Sequence, residues 1–111
     1  MREAICADGG VLREVYKDLG WGQIVLRTIP PGMCTEPHRH SRTEEVWVLA
    51  RGELAVDLEG VGEVRMREWD ALPLPAGTGH AVRNDGGEEA VLLFWASRLY
   101  DPEDPDRELW T

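Results

Sequence analysis

Twelve glycines and seven prolines cut this chain into apolar runs too short for stable helices. Residues 24–29, 45–50, 54–58, 70–74, 81–84 and 90–96 each carry strand-forming side chains, and each is flanked by turn chemistry. Pro30-Pro31-Gly32, Glu59-Gly60-Val61-Gly62, Pro75-Ala76-Gly77 and Asp85-Gly86-Gly87 supply the turns. Leu54, Val56 and Leu58 alternate with Glu53, Ala55 and Asp57, the period of a half-buried strand. Many short strands without a long helical pattern predict an all-β sandwich or barrel. With 111 residues, 42% of them apolar and 30% charged, the chain is expected to form one domain. Residues 11–19 fit a strand pair or one helical turn, and periodicity does not decide between them.

The chemistry concentrates in four residues. The chain has three histidines, His38, His40 and His80, and a carboxylate pair, Glu44-Glu45, follows the first two. Histidines at i and i+2 of a strand point to one face. A third imidazole from another strand and one carboxylate complete a set of N and O donors suited to Fe, Mn, Zn, Ni or Cu, with positions left open for water or substrate. Neutral imidazole is the ligand form, so binding is expected to weaken as pH falls through roughly 6.

These residues sit in two ordered clusters. The first is G-x5-H-x-H-x4-E-x6-G from Gly32 to Gly52, and the second is P-x-G-x2-H-x3-N from Pro75 to Asn84. Together they resemble the two cupin motifs, over roughly residues 24–98. The resemblance implies a jelly-roll (double-stranded β-helix) barrel, with residues 1–23 as a leading segment and 99–111 as a C-terminal tail. It carries His38, His40, Glu45 and His80 over as the metal ligands, with His80 arriving from across the barrel. Glu44 lies on the opposite parity and is expected to face outward or toward a group that supports the ligands. One position departs from the family: Trp69 stands where a glycine usually opens the second motif, just before Asp70.

Around this site, Trp47, Arg27, Leu49, Val82 and Asn84 are expected to line the pocket, with Asn84 also suited to brace the turn after His80. Arg27 is a candidate anion anchor. For a phosphorylated sugar only Arg27, Arg39, Arg42 and Arg83 stand out as cations, and Glu36, Glu44 and Tyr16 are general-base candidates by type alone. Cys6 and Cys34 are too far apart for a CxxC pair, and Cys34 is expected to be a small buried filler rather than a ligand.

A net charge of −9 argues against nucleic acid and anionic membranes as partners. No apolar run approaches a membrane span, and the N-terminus lacks a secretory pattern, so a cytoplasmic location is expected. Residues 90–96 are apolar on both parities, and a second subunit is the expected cover for the outer face, giving a homodimer. Residues 100–107 are Pro-rich and acidic and read as irregular, with Leu109 and Trp110 able to dock the tail. The resemblance implies a metal-dependent enzyme on a small organic molecule, either a dioxygenase-type O2 reaction or a sugar-isomerase-type Lewis-acid reaction. A non-catalytic ligand-binding or sensor protein is the alternative.

Overall fold

The computed structural model describes the backbone of residues 2–5, 11–98 and 103–110. Among them are eleven strands and no helix. In chain order they are β1 (Arg2–Ile5), β2 (Val11–Asp18), β3 (Gln23–Ile29), β4 (His38–Arg39), β5 (Glu45–Arg51), β6 (Leu54–Leu58), β7 (Gly62–Met66), β8 (Ala71–Leu74), β9 (His80–Arg83), β10 (Ala90–Ala96) and β11 (Glu108–Leu109). One sheet runs β1-β2-β3-β10-β5-β8 and the other β11-β4-β9-β6-β7. All the strand pairs are antiparallel.

The two sheets bury their facing sides against each other. Alternation in β5 buries Glu45, Trp47 and Leu49 and leaves Val46 exposed. The same period in β10 buries Ala90, Leu92, Phe94 and Ala96. Opposite them lie Leu54, Val56, Leu58, Met66 and Val82. Leu49 and Leu54 are fully enclosed, each contributing about 2 kcal/mol of apolar burial. Leu49 and Val82 thus line the interior as their parity predicts. Ala55 departs from the expected alternation: it is as buried as its apolar neighbours, its single methyl fitting on a side where a longer polar chain was the pattern.

Three sequence expectations are refined or corrected. The ambiguous segment at 11–19 is neither a strand pair nor a helical turn: residues 11–18 form the single strand β2, which its neighbours β1 and β3 hold from both sides; a tight turn closed by Leu19 N–H to Gly22 O (2.9 Å) links β2 to β3. Gly22 is required there, because a Cβ would lie 2.5 Å from the Ala96 carbonyl oxygen. Cys34 is not a buried filler: it is exposed, because its backbone forms only an isolated bridge to Arg83 at the sheet margin. Cys6 lies outside the described residues. The tail is irregular over 103–107 but ends in β11, which pairs with β4. Trp110 docks as expected, its ring occupying the space a Cβ on Gly79 would fill; Leu109 pairs through its backbone while its side chain stays exposed.

Candidate metal centre

The three imidazoles meet at one end of the space between the sheets. β4 presents His38, His40 follows immediately after the strand, and His80 begins β9. His38 and His80 are direct register partners. His80 therefore does not come from across the barrel: it lies beside His38 in the same sheet, because the turn at 75–79 returns the chain next to β4. Glu45, at the start of β5 in the facing sheet, is the residue that reaches across.

Ring centroids are 4.4 Å apart for His38–His80, 4.9 Å for His38–His40 and 5.5 Å for His40–His80. One nitrogen from each ring lies within 4.8 Å of the others. The opposite nitrogens are all tied to main-chain carbonyls. His38 Nδ1 lies 2.6 Å from Glu36 O, His40 Nδ1 2.7 Å from Asp106 O and His80 Nδ1 3.1 Å from Thr78 O. A carbonyl only accepts, so each Nδ1 carries a proton, and in the neutral ring it is Nε2 that offers its lone pair. Three such lone pairs in one place, backed by fixed hydrogen bonds, match the donor set of a divalent transition metal.

Electrostatics agree with that fit. Burial pushes the His38 imidazolium down to about 3 and that of His80 down to about 4, so both rings are neutral at ordinary pH. Glu45 is 8% exposed, and burial raises its carboxyl above the usual range. Its Oε1 accepts from Trp47 Nε1 (3.3 Å) and stands 4.0 Å from His40 Nε2. A cation between the histidines and Glu45 would offset the cost of enclosing that carboxylate.

Trp47 sets its ring edge-to-face on His80, with centroids 5.3 Å apart. Arg27 lies over the Phe94 ring at 5.0 Å, and its charge acts on both Glu45 and His80. Asn84 is a brace and not a pocket residue: its amide donates to Ile29 O and Glu88 O and its oxygen accepts from Gly86 N–H. Glu44 is exposed, facing outward as expected. Of the other candidate cations, Arg39 pairs with Glu59, Arg42 with Asp104 and Asp106, and Arg83 with Asp57, Glu63 and Asp85. Each of these three meets at least one carboxylate outside the histidine cluster. The cation that sequence reasoning missed is Arg107, whose charge is felt by both His38 and His80. No motif covers the tail, so only the pairing of β11 with β4 reveals it. The side chain of Tyr16 lies outside the described residues.

A family model for the cupin domain matches residues 25–96. The chain belongs to the cupin family. The polyketide synthase CurC of Streptomyces cyaneus is 35% identical over 78 residues, which is 70% of this chain and 50% of the relative. Capsular polysaccharide assembling protein CapF from Staphylococcus aureus superimposes with a TM-score of 0.79 at 20% identity, over 97% of this chain and 33% of that one, a likeness of fold. A protein assigned as a sugar phosphate isomerase from Acidithiobacillus ferrooxidans gives a TM-score of 0.66 at 30% identity, over 78% of this chain and 60% of that one. This cupin spans half or less of CurC and CapF. Among its described residues, no helix is long and apolar enough to cross a membrane.

Proposed function

We propose that this cupin binds one divalent transition metal through His38, His40, His80 and Glu45 and acts on a small anionic organic molecule. The observation that carries the reading is the set of three Nε2 lone pairs converging from rings whose Nδ1 protons are all held by main-chain carbonyls. Arg27 and Arg107 are the cations that would receive an anionic group on the ligand, and Trp47 would wall the site beside His80. A metal held there would polarise a substrate carbonyl oxygen. The likeness at 30% identity to the protein assigned as a sugar phosphate isomerase favours such Lewis-acid chemistry. O2 chemistry is the second reading, favoured by a donor set that leaves coordination positions open.

The chain's own contribution is to keep two imidazoles neutral by burial, to fix their tautomers, and to keep Glu45 enclosed against Trp47. A second copy is proposed as the partner covering the outer face of β3, β10 and β5, where Ile24, Leu26, Val46 and Leu93 are each 37–40% exposed; a single-subunit mass by sedimentation would remove it.

The test is purification without chelator, anaerobic reconstitution with Fe(II), Mn(II) or Zn(II), and parallel assays of O2 uptake and of sugar phosphate isomerisation. O2-independent turnover supports the first reading and O2 uptake on adding substrate the second. Stoichiometric metal with tight ligand binding and no turnover points to a binding protein. Absence of metal after reconstitution refutes the proposal.

A further inference from the structure

Residues 106–110 dock beside the three histidines rather than merely trailing from the fold. β11 adds to the edge of β4, with Leu109 opposite His38 and Glu108 opposite Arg39. Trp110 N–H donates to Pro37 O at 3.1 Å, and its indole packs on Gly79, next to His80. Between these anchors and the 41–43 loop sits Asp106. Its carboxylate side chain is 7% exposed. It accepts from Ser41 N–H (3.0 Å), Arg42 N–H (2.9 Å) and Thr43 Oγ1 (2.8 Å). Arg98 Nη1 lies 3.7 Å away. Its φ of 48° is left-handed, a conformation that Asp tolerates better than most residues. In this pose the Asp106 main-chain oxygen stands 2.7 Å from His40 Nδ1.

From this geometry we propose that Asp106 is a positioning residue: its carboxylate clamps the tail to residues 41–43 so that its carbonyl fixes the tautomer and direction of His40 for metal binding. His38 and His80 take their Nδ1 acceptors from two residues upstream in their own segments, Glu36 and Thr78. His40 instead borrows its acceptor from a segment 66 residues away. The affinity of the centre is therefore tied to docking of the C-terminal tail. Removing an acceptor behind a metal-binding histidine weakens binding about 10–100-fold.

The inference rests on the metal reading above, so the experiment uses one readout with metal and one without. In metal-free protein at neutral to mildly basic pH, ¹⁵N imidazole NMR should find His40 as the Nδ1–H tautomer, the minor form of free histidine. Asp106→Ala removes the clamp and should return His40 toward the Nε2–H form, with His38 and His80 unchanged. The same variant should bind Co(II) about 10–100-fold more weakly. Asp106→Asn tolerates the left-handed backbone and keeps one of the two acceptor oxygens, while its NH2 cannot accept from the N–H that the other oxygen served, so it should recover part of the tautomer and the affinity that the Ala variant loses. An unchanged His40 tautomer in folded Asp106→Ala overturns the proposal, as does equal loss in the Ala and Asn variants. Wild-type protein with the Nδ1–H tautomer that fails to bind Co(II) would instead refute the metal reading, and the positioning role for metal with it.

Discussion

Glu45→Gln should move stability and metal affinity in opposite directions. In the metal-free protein Glu45 is enclosed beside Trp47, and burial raises its carboxyl. Above that pKa the fold must hold an ionised carboxylate that the unfolded chain leaves in water. Gln has the same length, and its amide oxygen still accepts from Trp47 Nε1. The substitution removes the buried charge at little packing cost. After allowing for His40, Arg27 and the Trp47 hydrogen bond, which favour the ionised form, the gain is on the order of 1–3 kcal/mol at neutral pH. At about 4 °C per kcal/mol for a domain of this size, Tm of the chelator-treated protein should rise by roughly 4–12 °C. Metal should act the other way. An ion present at 100 times its Kd adds about 2.7 kcal/mol, roughly 11 °C, to the wild type. The variant, lacking the anionic ligand, should show little of this. Differential scanning calorimetry with chelator and with Co(II) or Zn(II) reads both effects. A variant less stable than wild type in chelator, or one with the full metal-dependent gain, would refute the reasoning.

Two further outcomes follow from particular residues. Trp69 holds a φ of 70° with its ring 75% exposed, so Trp69→Gly relieves left-handed strain while losing little burial; it should stabilise the protein by about 1 kcal/mol in urea titrations. The metal-free protein should also lose stability in acid. His38 and His80 have folded values of about 3 and about 4, below the usual 6.5, so between these limits the unfolded state binds more protons. Stability is complete above roughly 6.5 and falls as pH drops, by on the order of 1–2 kcal/mol per histidine by pH 5. Glu45, raised by burial, acts with the opposite sign, so Glu45→Gln should steepen the acid-side loss relative to its higher neutral plateau. Urea unfolding across pH 4–8 checks the slope.

The all-β class was legible because glycine and proline punctuate alternating runs, a local signal that survives without tertiary context. The His38, His40 and His80 cluster was legible because i and i+2 histidines share a face and the turn before His80 is marked by Pro75 and Gly77. What stayed hidden was relational. That His80 neighbours His38, while Glu45 reaches from the facing sheet, depends on strand order. The leading strands lacked a decisive period, and only the pairing of β1 with β2 and of β2 with β3 defines them. Asp106 and Arg107 lie in an acidic, Pro-rich stretch that resembles a solvated tail; Asp106 meets His40 through a contact spanning 66 residues, and the Arg107 charge acts on His38 and His80. Trp69 is the reverse case. Its departure from the family glycine was visible in the sequence, and the structure gives it the left-handed backbone that a glycine would favour.

The most direct test of the central claim is a Co(II) titration of chelator-treated protein, followed by visible absorption and calorimetry. The account predicts one saturable site per chain with ligand-field bands of an imidazole-rich environment, lost in His40→Ala while the thermal unfolding of that variant in chelator stays near wild type. No saturable binding, or binding that persists stoichiometrically in His40→Ala, would contradict it.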